Sequence, residues 1–478
     1  MTIAEEIEKP HVAFLPSPGM GHITPLFEFA RRLVIHHDFH VSFFVITTDA
    51  SAAQNELFRS ENLPSGFHAV EIPPVENISS FFTEDMRVVT RLAIMVRESL
   101  KHLPSLLMKQ QRPIEALIID LFCTDAYEIC QKLSIPVYSF FTASTILMAF
   151  SLYLPTLDRE VDGEFVDLPE PIQTPGCNPI CPHDILDQVK DRKNDEYKWY
   201  LLHVSRLPLA AGIFVNSWDD LEPVSLKALK ENLFFQNIPI PPVHAIGPLI
   251  KQDEVVTEKG AEILAWLDDQ PPESVLFVVF GSGGTLTSEQ LTELAWGLEM
   301  SQQRFILVAR KPSDASASAA FFNVGSDENN PLIYLPEGFV KKTEGRGLVV
   351  PSWAPQAAIL NHPSTGAFLS HCGWNSTLES VIHGVPMIAW PLYAEQRMNA
   401  TVLAEEVGVA VKFPVVPGEP LICRKEIEKM VRNVMEGEKG KAMRRRGKEL
   451  KESAKIALNS GGSSYESLCS VVQFWKSK

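Results

Sequence analysis

The chain has 478 residues, 45% hydrophobic and 21% charged, a globular composition that excludes general disorder and collagen-like or disulfide-stapled scaffolds. Its 43 Lys+Arg against 59 Asp+Glu give a formal charge of -16, which repels nucleic acid and anionic lipid. The seven scattered cysteines form no Cys-x-x-Cys pair, Cys177 and Cys181 coming nearest; this pattern points to reduced thiols and away from zinc.

The opening MTIAEEIEKP is acidic and has no apolar core, so no secretory leader is expected, the location is expected to be cytoplasmic, and the Asn-x-Ser/Thr matches at Asn77, Asn375 and Asn399 are read as coincidence. Strand signals follow at 11–16 (HVAFLP), 41–47 (VSFFVIT), 115–120 (EALIID), 135–141 (IPVYSFF) and 211–217 (AGIFVNS). Residues 133–157 carry no formal charge, but Pro136, Pro155 and recurring Ser/Thr favour a buried strand and core helix over a membrane span. The polar stretch 246–262 reads as an interdomain linker. A second strand set lies at 274–280, 304–309, 347–351, 366–370 and 386–390. Residues 312–330 are small and polar, as in a surface loop. The basic run 439–455 has interspersed Glu and reads as a solvated helix face, and the last segment as a packed terminal helix. Strands alternating with amphipathic stretches define an α/β chain of two doubly wound domains with parallel sheets.

In such sheets ligands bind beyond the carboxyl ends of strands. Three junctions there are unusual: SPGMGH (17–22), GSGGT (281–285) and HCGWNS (371–376). The first supplies Gly19, Gly21 and His22 at the start of a helix expected near Ile23. Asp120 ends another strand of the same sheet, and a carboxylate on one imidazole nitrogen would fix the tautomer and leave the other nitrogen free as a base. The bland alternative is a tight turn with a capping histidine. In the second junction Gly281, Gly283 and Gly284 let amides approach an anion, with Ser282 adding a hydroxyl. There is no Walker Lys-Ser/Thr, so an NTPase is unsupported. In the third, His371, Asn375 and Ser376 can meet two phosphates, and Glu379 lies one helical turn, roughly 6 Å, beyond Asn375, where it can accept from ribose hydroxyls. Trp353 offers a flat face for a base, and Glu395 with Gln396 could read sugar hydroxyls beyond. Each of these residues alone could be core or solvated; their joint spacing is harder to dismiss.

The stretch 353–396, from WAPQ through HCGWNS and Glu379 to the closing Glu-Gln, resembles the signature box of plant UDP-sugar-dependent glycosyltransferases acting on small molecules, and SPGMGH and FGSGGT fall where that family has them. The resemblance covers essentially the whole chain. It implies the GT-B fold, with two facing Rossmann-like domains: an acceptor-binding domain at 1–245, the linker at 246–262, a nucleotide-sugar domain at 263–455, and a helix at 456–478 packing back on the first domain. It further implies His22 as general base and Asp120 as its partner. Trp353 would stack on uracil and Ala354 contact it through the backbone. Gln356 and Glu379 would bind ribose. His371, Asn375, Ser376, Ser282 and Ser17 would contact diphosphate, Trp374 belongs to the same donor site, and Glu395 and Gln396 would contact the sugar. Gln at the last box position accompanies a glucose donor, so UDP-glucose is expected. Details such as PGCNP and WPLYAEQ resemble the hydroquinone or monolignol glucosyltransferase branch, which implies phenolic acceptors. Two departures bear on specificity: Cys123 stands where Gly is expected, and Leu307 where relatives often have Trp.

The expected reaction is inverting O-glucosylation, giving a β-glucoside. No cofactor is expected, and no metal, since Asp-x-Asp is absent from the chain. Two helix N-termini and His371 would meet the charge of the leaving diphosphate. Phe122, beside Asp120, and Tyr393 are the acceptor-wall candidates, although Phe122 reads equally well as core. The expected partners are UDP-glucose and a small phenol, with no nucleic acid and no membrane span, acting on a monomer. An acceptor of another class, such as a flavonoid, another alcohol or an N- or S-nucleophile, remains an alternative. So does a catalytically silent UDP-sugar-binding protein. A dehydrogenase using Asp49 fails on the broken Gly-x-Gly-x-x-Gly, and a hydrolase on the absence of Gly-x-Ser-x-Gly.

Overall fold

The computed structural model describes residues 9–58, 63–83, 86–251, 257–318, 330–414 and 421–477. Residues 252–256 of the expected linker and 319–329 of the expected surface loop lie outside them, as do residues 1–8. Within the linker span, a helix Glu258–Asp268 begins at once beyond the gap. The described residues form two parallel sheets. The first contains β1 (His11–Leu15), β2 (His40–Ile46), β3 (Phe67–Ile72), β4 (Ala116–Asp120), β5 (Val137–Phe141), β6 (Ile213–Val215) and β7 (Val243–Ala245), ordered β3-β2-β1-β4-β5-β6-β7. The second contains β8 (Val275–Val279), β9 (Arg304–Ala309), β10 (Gly347–Pro351), β11 (Thr365–Ser370), β12 (Met387–Ala389) and β13 (Ala410–Lys412), ordered β10-β9-β8-β11-β12-β13.

All ten strands expected from sequence are present; β3, β7 and β13 are additional, and each lies at a sheet edge. Central strands are covered on both faces and read as unbroken apolar runs. β3 is largely exposed, with only its end residues Phe67 and Ile72 buried, so it offers no such run. β7 (VHA) and β13 (AVK) are three-residue strands that each include a polar residue, so neither stands out as an apolar run.

The strand order reverses between β1 and β4 in the first sheet and between β8 and β11 in the second. These are the two crevices where a doubly wound sheet accepts ligands. SPGMGH and Asp120 emerge beside one crevice, GSGGT and HCGWNS beside the other.

Residues 133–157 fold as β5 and the helix Thr145–Glu160, with most of that helix's side chains buried. Among the described residues no helix is long and apolar enough to cross a membrane. The basic run lies in the helix Glu438–Leu458, and only part of it is solvated. Arg444 is buried, donating to the carbonyls of Gly366, Val434 and Met435, where its guanidinium satisfies chain ends that water does not reach. This helix runs on through residue 455 to Leu458. The terminal helix spans Ser463–Lys476. Its Leu468, Val471, Val472 and Trp475 share a core with Phe14, Phe29, Phe39 and Phe214 of the first lobe. All seven cysteines are free thiols.

Candidate active site

Because β1 and β4 are neighbours, the chain leaving each meets the other. His22 Nδ1 lies 2.9 Å from Asp120 Oδ2, and Thr142 Oγ1, from the loop after β5, lies 3.2 Å from the same nitrogen. A carboxylate only accepts, so Nδ1 carries a proton, and the tautomer this contact fixes in the neutral ring is the one with its lone pair on Nε2. Asp120 is fully buried. Its Oδ2 also accepts from the amide and hydroxyl of Ser17, and Oδ1 from the Phe122 amide. Burial by itself would raise this carboxyl's pKa, but the hydrogen bond and charge of His22, with the two Ser17 donors, bring it below the ordinary value. The Asp120 carboxylate is thus held ionised with every available donor turned on it. The imidazole is 18% exposed, and its ring stands edge-on to Phe122 at a centroid distance of 5.3 Å.

The helix carrying His22 spans Met20–His37, starting three residues earlier than expected. Gly19, at φ 116°, turns the chain so sharply that its carbonyl already accepts from the amides of His22 and Ile23. Pro25 sits inside this helix and has no N–H for the carbonyl four residues back, that of Gly21. That carbonyl accepts instead from Asn375 Nδ2 of the second lobe, at 3.1 Å. A missing helical hydrogen bond thereby becomes a contact between lobes, one residue from His22.

In the second lobe, His371 follows β11 and is buried. Gly281 and Gly373 press on its ring: a Cβ on Gly281 would collide with it, and one on Gly373 would lie 2.5 Å from Nε2. Burial, with the nearby charge of Arg310, lowers the His371 pKa to about 4, so the ring is neutral near pH 7. Arg310 donates to the Ser282 carbonyl at 2.6 Å and the Ser352 carbonyl at 3.2 Å, tying the glycine turn to the segment before Trp353. Ser282 itself is exposed. Gln356 Nε2 donates to Glu379 Oε2 at 2.6 Å and Ser376 Oγ at 3.0 Å, so three residues expected at the donor site already form one cluster. Ala354 is buried, whereas Trp353 is 46% exposed; an apolar face left open to this degree is available for stacking.

Glu395 and Gln396 open the helix Gln396–Val402. Gln396 Oε1 accepts from the amides of Leu392 and Tyr393, which fixes the loop ahead of it. Burial raises the Glu395 pKa, against its own backbone amide, the charge of His22 and a hydrogen bond from Asn399. Burial also pushes the Tyr393 phenol up to about 12.

The structure places two predicted residues, Ser17 and Trp374, and one helix start differently from expectation. Ser17 is fully buried with its hydroxyl on Asp120, so what it holds here is the carboxylate of the dyad and not an open anion site. Trp374 is buried and its indole N–H donates to the Asn216 carbonyl of the first lobe at 2.9 Å, making it a joint between lobes. The helix after GSGGT begins only at Ser288, where Thr287 Oγ1 and Asp314 already take its first amides; of the two helix ends expected at the diphosphate, the one at Trp374 has no side-chain cap. Cys123 is buried beside Asp120, its thiol raised well above the usual range by burial and by that carboxylate. Leu307 is core.

Thr142, Arg310 and Asn399 were not anticipated. Thr142 could have been found as the first polar residue after β5, the strand next to β4. Arg310 acts through contacts far apart in sequence, which no local pattern signals, whereas Asn399 lies one helical turn beyond Glu395, a spacing that could have pointed to it.

The family model described as "UDP-glucoronosyl and UDP-glucosyl transferase" matches residues 255–446. The hydroquinone glucosyltransferase of Rauvolfia serpentina is 46% identical over 473 residues, covering 98% of each chain. The crystal structure of TcCGT1 in complex with UDP superimposes with a TM-score of 0.91 at 45% identity, covering 98% of this chain and 100% of that one. A UDP-glucosyltransferase from Polygonum tinctorium capable of glucosylating indoxyl, in complex with 3,4-dichloroaniline, gives 0.88 at 43% identity, covering 99% and 100%. The chain belongs to the UDP-glucuronosyl and UDP-glucosyl transferase family. It has the GT-B fold and is a UDP-glycosyltransferase of the plant group that glucosylates small molecules.

Proposed function

We propose that this enzyme transfers glucose from UDP-glucose to the hydroxyl of a small phenol with inversion, yielding a β-O-glucoside. The observation that carries the reading is the His22–Asp120 pair, whose free Nε2 sits one residue from the lobe-crossing contact between Gly21 and Asn375. His22 takes the phenolic proton, the oxygen attacks the anomeric carbon of the α-linked donor, and UDP leaves from the opposite face. A general base of this kind contributes roughly 10²–10⁴-fold, and alignment of the two substrates across the cleft supplies much of the rest.

On this reading Trp353 and Ala354 hold uracil, Gln356 and Glu379 hold ribose, and His371, Asn375, Ser376 and Ser282 hold diphosphate. Glu395 and Gln396 hold glucose, and Phe122 and Tyr393 flank the acceptor. Ser17 supports Asp120, and Trp374 joins the lobes. No metal is required, because the leaving charge meets amides and neutral donors already in place.

The test is incubation of the purified enzyme with UDP-glucose and a panel of phenols, flavonoids, amines and thiols. Products are identified by mass spectrometry, and the anomeric configuration by NMR. Phenolic β-O-glucosides, formed at the same rate after exhaustive EDTA treatment, are expected. An α-linked product or EDTA-sensitive turnover would refute the mechanism, preference for amines or thiols would refute the acceptor class, and UDP-glucose binding without transfer would mark a silent binding protein.

A further inference from the structure

Asn399 lies in the helix Gln396–Val402, three residues beyond Gln396, and is fully buried. Its amide has a partner at every position that counts. Nδ2 donates to the Cys372 carbonyl at 3.0 Å and to Glu395 Oε1 at 3.3 Å; Oδ1 accepts from Ser144 Oγ of the first lobe at 3.1 Å. The amide orientation is dictated, since a carbonyl and a carboxylate both demand donors and only nitrogen can face them. One side chain therefore reaches the carboxylate of Glu395, the backbone following His371, and the loop that two residues earlier supplies Thr142 to His22. The same stretch is fastened to the first lobe twice more: Arg397 Nη1 bonds Asp187 Oδ1 at 3.1 Å and Thr401 Oγ1 bonds Asp184 Oδ2 at 2.8 Å.

We propose that Asn399 is a positioning residue for donor-sugar recognition, fixing the Glu395 carboxylate and setting it relative to the first lobe through Ser144. This rests on the reading that Glu395 contacts the sugar. A carboxylate that must accept from hexose hydroxyls has to present a defined oxygen, and the Asn399 donor occupies Oε1 and so aims the remaining lone pairs. The link to Ser144 makes the position of that carboxylate depend on how the acceptor-bearing lobe is seated. The uridine end lies outside this network, which touches none of Gln356, Ser376 and Glu379; at the diphosphate corner it reaches only the Cys372 carbonyl.

The test uses the full-length enzyme and the variants Asn399→Ala, Asn399→Asp, Ser144→Ala and Glu395→Gln. It measures kcat and KM for UDP-glucose, the Kd of UDP by calorimetry, and Tm. Asn399→Ala should raise KM for UDP-glucose about tenfold, the loss of one hydrogen bond to a charged group, with a clearly smaller rise in the Kd of UDP. Asn399→Asp should be worse than the alanine, since its second oxygen opposes both Glu395 and the Cys372 carbonyl. Ser144→Ala should act in the same direction more weakly, and it decides the matter if the Asn399 variants do not fold. Equal losses in UDP and UDP-glucose affinity, or KM values within twofold of wild type for both alanine variants, would overturn the proposal. If Glu395→Gln also leaves KM unchanged, the sugar-contact reading has failed; if Glu395→Gln raises KM while the other variants do not, only the positioning role has.

Discussion

At the scale of single residues, the site is a set of side chains whose freedom has been removed. Asp120 accepts from His22, both Ser17 donors and the Phe122 amide, so its loss should affect catalysis through the imidazole's tautomer. Asp120→Asn and His22→Ala should each lower kcat by roughly 10²–10⁴-fold, while calorimetry finds UDP affinity unchanged. Pro25 gives a sharper case. Pro25→Ala restores an N–H whose helical acceptor is the Gly21 carbonyl, now bonded to Asn375. Helix continuity would gain and the lobe contact would lose. The expected result is a Tm at or above wild type together with kcat/KM lower by about tenfold, an opposition that simple misfolding does not produce.

At the scale of elements, glycines and buried carboxylates decide how loops and helices seat. Gly281 has φ 72° and no room for a Cβ against His371. Gly281→Ala should therefore weaken UDP binding at least about tenfold by displacing that ring. Glu222 is buried against the start of the helix Thr145–Glu160, its Oε1 accepting from the Thr145 amide at 2.8 Å. Burial, only partly offset by hydrogen bonds from the Thr145 and Ile146 amides, lifts its pKa from 4.5 to about 7. A carboxyl raised in the folded state favours the fold while protonated, so this contribution is present below pH ~4.5 and lost as pH rises through about 7. Glu222→Gln keeps the acceptor oxygen and cannot ionise. Its Tm relative to wild type should climb between those pH values, by an amount corresponding to about 3 kcal/mol or less.

At the scale of the whole molecule, the lobes are joined by polar contacts at defined points: Trp374 to Asn216, Trp218 to Ser453, and Ser144 to Asn399. The terminal helix closes the circuit by burying Trp475 among Phe39, Tyr138 and Phe214. Trp475→Ala should cost about 3–5 kcal/mol as a cavity in the first lobe. Scanning calorimetry should then show a lowered first-lobe transition with the second-lobe transition unmoved. A uniform shift of both would mean that the lobes unfold as one unit.

The ten covered strands, their division into two sets and the three polar junctions were legible in the sequence, because each depends on local pattern: an apolar run or a glycine-rich strand-to-helix turn. Edge strands β3, β7 and β13 were not, since none of them offers the continuous apolar run by which β6, β10 and β12 were read. The identities of His22, Asp120 and the cluster Gln356, Ser376 and Glu379 were readable from residue type and spacing. What Ser17 and Trp374 touch, that Asn375 is the group which meets the Gly21 carbonyl, and that Asn399 reaches Ser144 were decided by the tertiary structure alone. Those contacts pair residues 103 to 354 positions apart, or bridge two elements at once. A sequence specifies its own neighbours through short-range sterics and periodicity, but the partner of a buried donor is set by how whole lobes pack.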